Sequence, residues 1–228
     1  MKKLNDCLVV TLFSQKGGTT KTTTAMNLAG TLGRRGYATK VVDLDMQGSA
    51  TDWWNACEDK SLKIDLAQHG RTKTRISDAI AAESKNYDFV VVDCPPASEA
   101  PSVSQTLLVS DLCIIPTRNS PNDIRTLGET LELVNRARDL NQDLAARLLV
   151  ADVERDKALA KNYAAFLAKI SEQEDIQVLK SQTSHLQAYV YASLHGTTVH
   201  HVPNAKRAVQ EIEALTDEVL SILQIGGC

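Results

Sequence analysis

The chain has 228 residues, which is enough for one large α/β domain with a full hydrophobic core. Its composition, 43% hydrophobic and 23% charged residues, is ordinary for a globular protein, and a net charge of −3 argues against a protein coated in basic charge. Aromatic residues make up only 4% of the chain, which argues against base-stacking platforms for single-stranded nucleic acid.

Continuous apolar runs predict buried parallel strands, because helices cover both faces of such strands. In chain order the predicted strands are residues 7–13, 39–44, 89–94, 112–116, 147–153 and 176–179, of which the last two are less continuous. Helical patterns fall between and after them, at about residues 21–35, 74–84, 102–109, 122–140, 157–173, 184–194 and 204–224. This alternation predicts a single domain over residues 1–228, with a doubly wound, mostly parallel α/β sheet and helices on both faces.

The segment KGGTTKTT, residues 16–23, lies between the first predicted strand and the first predicted helix. A glycine-rich turn in this place directs backbone N–H groups and the positive end of the helix dipole at an anion. We expect Lys21 to reach the β- and γ-phosphates of a nucleotide and the Thr22 hydroxyl to ligate Mg²⁺. The alternative is a plain Gly-Gly turn with two exposed lysines, which the strand before the segment and the helix after it disfavour.

Thr20 departs from the usual pattern of phosphate loops, in which glycine directly precedes the second lysine. A β-branched residue tolerates positive φ badly, so Thr20 is expected to be strained if the loop requires that conformation. The departure bears on the rate of hydrolysis more than on the fold.

Two predicted strands end in carboxylates. Asp43 and Asp45 close the second strand, where alternation would place them on the same side, and Asp93 closes the apolar run at residues 89–92. Ligands of open α/β sheets bind at the carboxyl ends of the strands. Asp45 is therefore expected to orient a water or a Mg²⁺ ligand near the γ-phosphate, and Asp93 to hold Mg²⁺ directly or through water. Either acid alone could equally be a turn or capping residue.

In combination these motifs resemble the ParA/MinD family of deviant Walker A ATPases, a branch of the P-loop NTPases, and most closely its short plasmid-partition members of the ParF kind. The resemblance covers essentially the whole chain. It is carried by KGGTTKTT, DLDMQGSATDWW, YDFVVVDCPP, SDLCIIPTRNSPNDI, QAYVYASLHGTTV and AKRAVQEIEALTDEVL. Met46 stands where the family usually has proline.

The resemblance implies ATP and Mg²⁺ as cofactors and a role for each site residue. Lys16 would cross a homodimer interface to the nucleotide of the other subunit, and Lys21 would bind phosphates in its own subunit. Catalysis would fall to Lys16, Lys21 and Asp45, and Mg²⁺ binding to Thr22 and Asp93. The residues expected to bind the nucleotide are Lys16, Gly17, Gly18, Thr19, Thr20, Lys21, Thr22 and Thr23.

The function that the resemblance implies is a slow ATPase, stimulated by a ParB-like cargo adaptor, that dimerises on ATP and then binds nucleoid DNA without sequence preference. Its cargo would be a plasmid, a chromosome or a protein assembly such as a carboxysome. The expected location is the cytoplasm, with nucleoid association in the ATP-bound state and no membrane partner. Leu186 stands where relatives carry a DNA-binding arginine, so the candidate DNA contacts are Lys180, Lys206 and Arg207.

Three other readings remain open. A MinD-like membrane-cycling regulator is disfavoured by the acidic polar face of the last predicted helix, since membrane-bound amphipathic helices are usually basic there. An iron–sulfur carrier would need a cysteine pair at the dimer interface, and Cys94 stands alone after Asp93. A nucleotide switch that hardly hydrolyses ATP is favoured by Thr20.

Overall fold

Seven parallel strands form the sheet at the centre of the computed structural model, which describes residues 7–58, 62–96, 101–154 and 157–225. Along the sheet the order is β3-β2-β4-β1-β5-β6-β7, and each neighbouring pair is parallel. The strands are β1 (Leu8–Leu12), β2 (Thr39–Asp43), β3 (Asp65–Gln68), β4 (Phe89–Asp93), β5 (Leu112–Thr117), β6 (Ala145–Val153) and β7 (Gln177–Ser184).

Helices cover both faces of the sheet, which confirms the doubly wound α/β fold. They are α1 (Lys21–Arg34), α2 (Ser49–Asn55), α3 (Ile76–Glu83), α4 (Pro101–Leu107), α5 (Pro121–Leu140), α6 (Lys157–Glu174), α7 (Gln187–Leu194) and α8 (Lys206–Ile222). One apolar core joins the sheet to α1, α2, α7 and α8, and the other joins it to α3, α4, α5 and α6. Val9 and Val10 of β1 belong to opposite cores, as the alternation of side chains along a strand requires.

Two elements lie where the sequence predicts none, and two others have a bound that differs from its prediction by three residues or more. The short edge strand β3 and the helix α2 are the two that the sequence patterns did not indicate. Strand β7 continues to Ser184, five residues beyond its predicted end, and α7 begins at Gln187 rather than at residue 184. These differences lie at the two edges of the sheet and in the connections beside them.

Helix α8 packs onto the domain, as its amphipathic pattern predicts. Ile212, Leu215 and Val219 are fully buried in the core that it shares with α1 and β7. Two of its acidic residues flank this face, where Glu211 accepts hydrogen bonds from Ser184 and Glu218 accepts them from the backbone of β7. Among the described residues, no helix has the length and hydropathy that crossing a membrane would need. The apolar face of α8 is therefore already occupied by the protein's own core.

Candidate functional site

The predicted site residues meet at the carboxyl edge of three adjacent strands. Leu12 of β1 and Asp43 of β2 both pair in register with Asp93 of β4, so the three strands end level with one another. The segment after β1 curves over this edge and enters α1 at Lys21. It encloses an open cavity of about 350 Å³, whose lining includes Gly17, Gly18, Thr19, Thr20, Lys21, Thr22, Thr23 and Asp45.

Thr20 has the strained conformation that its sequence position predicts. Its φ is 66°, in the left-handed region, and it directly precedes the first residue of α1. Gly18 has a similar φ of 75° without penalty, because glycine has no Cβ. The Thr20 hydroxyl is buried and, within the described residues, has no hydrogen-bond partner. The conformation of the loop therefore strains the backbone of Thr20 and leaves the hydroxyl of this residue without a hydrogen bond.

Lys21 is the buried cation of the site. Its side chain reaches back across the loop, and Nζ donates a hydrogen bond to the carbonyl oxygen of Lys16 at 3.1 Å. Burial lowers the pKa of Lys21, whereas Asp93 and Asp45 oppose this shift by favouring the charged form. An ammonium group with one backbone partner retains two donors, which is the arrangement that phosphate oxygens would complete.

Thr22 and Asp93 are joined by a hydrogen bond, in which the Thr22 hydroxyl donates to Asp93 Oδ2 at 2.6 Å. The other carboxylate oxygen of Asp93 is buried and has no partner among the described residues. Burial raises the pKa of Asp93 to about 7, and the nearby Asp43 and Asp45 add to the effect. A hydroxyl beside a carboxylate with a free oxygen suits Mg²⁺, a hard cation that takes oxygen ligands. The residues present thus fit the predicted metal.

Asp43 and Asp45 differ in their surroundings. Strand β2 ends at Asp43, so Asp45 lies in the following turn and strand alternation does not set its direction. Asp43 is fully buried and accepts hydrogen bonds from the Asp45 N–H at 3.0 Å and from the Thr51 N–H and hydroxyl at 2.9 and 2.8 Å. Asp45 accepts one from the Gln47 N–H at 2.9 Å and lines the cavity. Asp43 fixes the turn, and Asp45 is the acid that faces the loop.

Lys16 is held by a buried carboxylate that the sequence did not single out. Its Nζ forms an ion pair with Asp123 Oδ1, in the first turn of α5, and Arg118 Nε donates to the other oxygen of Asp123 at 2.9 Å. Arg118 also approaches Asp152 at 3.6 Å, and His185 Nδ1 lies 2.7 Å from Asp152 Oδ1, which can only accept a hydrogen bond while ionised. The only signal for Asp123 in the sequence is an acid near a helix N-terminus, which usually indicates a favourable dipole contact.

A second cavity, of about 300 Å³, adjoins the phosphate loop, and the two cavities share the lining residues Thr20, Thr23 and Ser193. Its remaining walls come mainly from the end of β7 and from α7, with Thr24, Asp152 and Ile212 added from α1, β6 and α8, and most of the exposed wall surface is apolar. Leu186 is one of these wall residues and packs partly against the core. The space has the lining expected for a flat, apolar group next to a phosphate chain.

The predicted DNA contacts do not form a free basic patch. Arg207 Nε donates to Glu211 Oε1 at 3.0 Å, and its NH2 group donates to the Ser184 hydroxyl at 2.5 Å. Lys180 and Lys206 are exposed, but they lie on β7 and at the start of α8 with carboxylates between them. Arg207 is thus a largely exposed cation that is paired with Glu211 at the surface, and the other two cations lie near carboxylates.

Cys94, the residue on which the iron–sulfur alternative depends, is buried directly after β4. Burial raises the pKa of its thiol well above the ordinary value, with Cys113 and Asp93 contributing, so the thiolate needed for a cluster is disfavoured. Within the described part of the chain no group of three or more His, Cys, Asp or Glu residues is arranged to hold a metal ion.

Comparison with known proteins gives a consistent picture. The profile of the CobQ/CobB/MinD/ParA nucleotide-binding domain matches residues 10–220. A curated relative, maintenance of carboxysome distribution protein A from Halothiobacillus neapolitanus, is 27% identical over 220 residues, covering 95% of this chain and 98% of that protein. The sporulation initiation inhibitor protein Soj from Bacillus subtilis is 26% identical over 174 residues, covering 60% of this chain and 68% of Soj.

Solved structures of similar fold include nucleotide complexes. The ATP complex of a variant of McdA from Cyanothece superposes with a TM-score of 0.73 at 17% identity, covering 98% of this chain and 99% of that one. The septum site-determining protein MinD of Pyrococcus horikoshii, complexed with Mg-ADP, gives a TM-score of 0.75 at 20% identity, covering 97% and 100%. At these identities the likeness establishes the fold.

Proposed function

The chain belongs to the CobQ/CobB/MinD/ParA family of nucleotide-binding proteins, and we propose that it is an ATPase that positions intracellular cargo through nucleotide-gated dimerisation and DNA binding. The observation that carries the proposal is the phosphate cradle with Lys21, Thr22 and Asp93 grouped beneath it. ATP is the nucleotide and Mg²⁺ the metal, as in the family's solved complexes.

The triphosphate would lie along the loop, with its base in the adjoining apolar cavity. Backbone N–H groups and Lys21 would bind the phosphates, and the Thr22 hydroxyl and the free oxygen of Asp93 would hold Mg²⁺. When bound, Mg²⁺ supplies positive charge that offsets the charge developing on the transferred phosphoryl group. Thr20 and Thr23 border both cavities, so they would lie between the phosphates and the nucleoside.

Asp45 would orient the attacking water and accept its proton. It is the one acid of its turn that lines the cavity, since the bonds of Asp43 are used to hold the turn in place. Phosphoryl transfer needs little more from the protein than positioning and neutralisation of charge. A single carboxylate with one hydrogen bond from Gln47 therefore suffices for this role.

Lys16 would complete the site only in a homodimer. In the single chain its ammonium group is paired with Asp123 and so is directed away from the chain's own phosphate cavity. In the dimer it would leave Asp123 and contact the phosphates bound by the partner subunit. The second subunit would thereby supply a charge that one subunit lacks, which makes dimerisation conditional on ATP.

The dimer would bind nucleoid DNA without sequence preference, and a cargo adaptor would stimulate hydrolysis and release it. This cycle is proposed because the relatives are named for carboxysome distribution, chromosome partitioning and sporulation control. A carboxysome, a plasmid and a chromosome are all admissible cargoes. The protein would act in the cytoplasm and associate with the nucleoid while ATP-bound.

Two substitutions test the cradle and the catalytic acid separately. Lys21→Ala should lose ATP binding, measured by titration with a fluorescent ATP analogue, whereas the exposed Lys85→Ala should bind as the wild type does. Asp45→Ala should retain ATP binding and dimerise on ATP but lose phosphate release, with the exposed Asp52→Ala as its matched control. Full ATP affinity in Lys21→Ala would refute the assignment of the loop as the phosphate-binding site. Normal turnover in Asp45→Ala would refute the assignment of Asp45 as the water-positioning acid.

A slow nucleotide switch is the second candidate, and the strained Thr20 favours it. Thr20 has a β-branched side chain and a positive φ, and it lies in the loop that must close around the phosphates. If hydrolysis is limited by this residue, Thr20→Gly should raise the single-turnover rate while Thr19→Gly should not. Equal rates in the wild type and Thr20→Gly would remove the basis of this alternative.

A further inference from the structure

A short basic segment follows β3 at the same edge of the sheet as the phosphate loop. Its sequence is HGRTKTR, residues 69–75, and we call it the basic loop. Arg71, Lys73 and Arg75 are exposed, and no described carboxylate forms an ion pair with any of them. The segment contains no acid, although the chain as a whole has a net charge of −3. Beyond His69, which lies 3.0 Å from Glu83 Oε1, the basic loop is therefore a local excess of unpaired positive charge among the described residues.

The basic loop is anchored to the turn that carries Asp45. The His69 N–H donates to the carbonyl oxygen of Asp43 at 2.8 Å, and the Gln68 side-chain amide donates to that of Asp45 at 3.1 Å. Gly70 packs so closely on Asp45 that an added Cβ would stand 2.9 Å from its carbonyl carbon and oxygen. The three cations thus extend from a fixed base beside the nucleotide site.

The chemistry of the basic loop fits a phosphate backbone better than a protein partner. Cations at every second position alternate with Thr72 and Thr74, whose hydroxyl groups can also donate to phosphate oxygens. Protein interfaces are anchored by buried aromatic and apolar side chains, and the segment has none of them. By contrast, Lys206 and Arg207 begin a helix that also carries Glu211, Glu213, Asp217 and Glu218.

We propose that the basic loop is a DNA-binding surface, in which Arg71, Lys73 and Arg75 contact the phosphates of duplex DNA. This proposal rests on the DNA binding put forward under the proposed function and names the surface that would bind the DNA. Binding through phosphates is independent of sequence and strongly dependent on salt. In a dimer each subunit presents one basic loop, so as many as six phosphates are contacted.

The anchoring contacts also give a physical reason for nucleotide dependence. If the turn that carries Asp45 moves towards a bound nucleotide, the basic loop would move with it. The reason is that Gly70 and the Gln68 amide both contact the backbone of Asp45. If ATP favours the DNA-binding position of the basic loop, DNA must favour ATP binding to the same degree.

The test compares two triple variants with the same change in charge. Arg71→Gln/Lys73→Gln/Arg75→Gln removes the basic loop cations, and Lys180→Gln/Lys206→Gln/Arg207→Gln removes the same number from the carboxyl-terminal part. Affinity for fluorescein-labelled random duplex DNA is measured by anisotropy with ATP, with ADP and without nucleotide across a salt series. Melting temperature and ATP turnover without DNA confirm that each variant is folded and active.

The expected result is a loss of affinity of at least tenfold in the basic loop variant, against less than threefold in the control variant. The slope of log K against log salt should fall by about 3 if one loop contacts the duplex and by about 5 if both do. If the basic loop variant bound DNA with wild-type affinity and the control variant lost affinity, the basic loop would not be the DNA-binding surface. The proposed DNA binding itself would still stand. A wild-type protein that binds no DNA in any state would overturn both.

An acidic protein is the competing occupant of the basic loop. Poly-glutamate of matched charge, added as a competitor at fixed salt, distinguishes it from DNA. Displacement of the duplex only at a large molar excess supports a phosphate-backbone surface. Displacement at equal charge concentration would show that the basic loop recognises negative charge generally and would overturn DNA as its specific partner.

Discussion

Replacing Thr20 with glycine should stabilise the nucleotide-free protein, because this residue holds a backbone conformation that suits glycine. With φ at 66°, an L-residue other than glycine loses about 1–2 kcal/mol relative to its preferred conformations. The buried hydroxyl, which has no partner among the described residues, adds a desolvation cost of about 1–3 kcal/mol.

Two smaller effects oppose the gain. Glycine makes the unfolded chain more flexible, which costs about 0.5–1 kcal/mol, and loss of the methyl group removes about 0.8 kcal/mol of apolar burial. The net gain in the free energy of unfolding should be about 2 kcal/mol, near the middle of the range that these effects span. For a domain of this size each kcal/mol raises Tm by about 2–4 °C, so the variant should melt about 4–8 °C higher.

The measurement is urea denaturation of the nucleotide-free protein, followed by tryptophan fluorescence and supported by thermal melts. Thr20→Ala should fall between the wild type and Thr20→Gly, because it loses the hydroxyl but keeps a Cβ at positive φ. Thr19→Gly is the matched control and should be destabilised, since Thr19 does not have positive φ and its hydroxyl donates to the Lys16 carbonyl at 3.2 Å. A Thr20→Gly variant less stable than the wild type would refute the strain reasoning.

Three further predictions address the rest of the molecule. Asp123→Asn should lower the free energy of unfolding by about 2–4 kcal/mol in urea, because Lys16 loses its buried partner; unchanged stability would mean that the pair does not form in solution. Asp93→Asn should be more stable than the wild type at pH 8 without Mg²⁺ or nucleotide. Burial raises the pKa of Asp93 to about 7, so the folded wild type binds more protons than the unfolded chain and loses stability between about pH 4 and pH 7, at up to about 1.4 kcal/mol per pH unit. A difference between these two proteins that does not vary with pH would contradict this. Ile212→Ala should cost about 2–5 kcal/mol and the exposed Val190→Ala less than about 0.5 kcal/mol, whereas a free α8 would give similar small losses in both.

The central strands could be predicted because they are buried on both faces. Strands β1, β4 and β5 are nearly continuous apolar runs, since helices cover both sides of them, and their predicted bounds agree with the structure within a few residues. At the edges of the sheet this signal fades. Strand β3 has the sequence DLAQ, with two exposed positions out of four, and β7 continues through Lys180 and Gln182, so neither shows an uninterrupted apolar run.

The parts of the candidate site that depend on local backbone conformation could be predicted from the sequence. Contacts between residues far apart in the chain could not. The phosphate loop and its conflict at Thr20 followed from local sequence, because the required φ is a property of the turn itself. The contact between Lys16 and Asp123 joins residues 107 positions apart, and its two partners each have an ordinary local explanation. The different roles of Asp43, which holds the turn, and Asp45, which lines the cavity, depend on where β2 ends. Hydrophobic periodicity does not determine that boundary.

The position of β1 in the sheet has a consequence for synthesis on the ribosome. This strand pairs with β4 and β5 and not with its neighbour in sequence, so its two sides are completed only after Asp93 and Thr117 have been made. A nascent chain shorter than this has the loop sequence but no framework to hold it. Nucleotide binding, and any pairing of subunits that depends on it, therefore begins only when more than half of the chain has emerged.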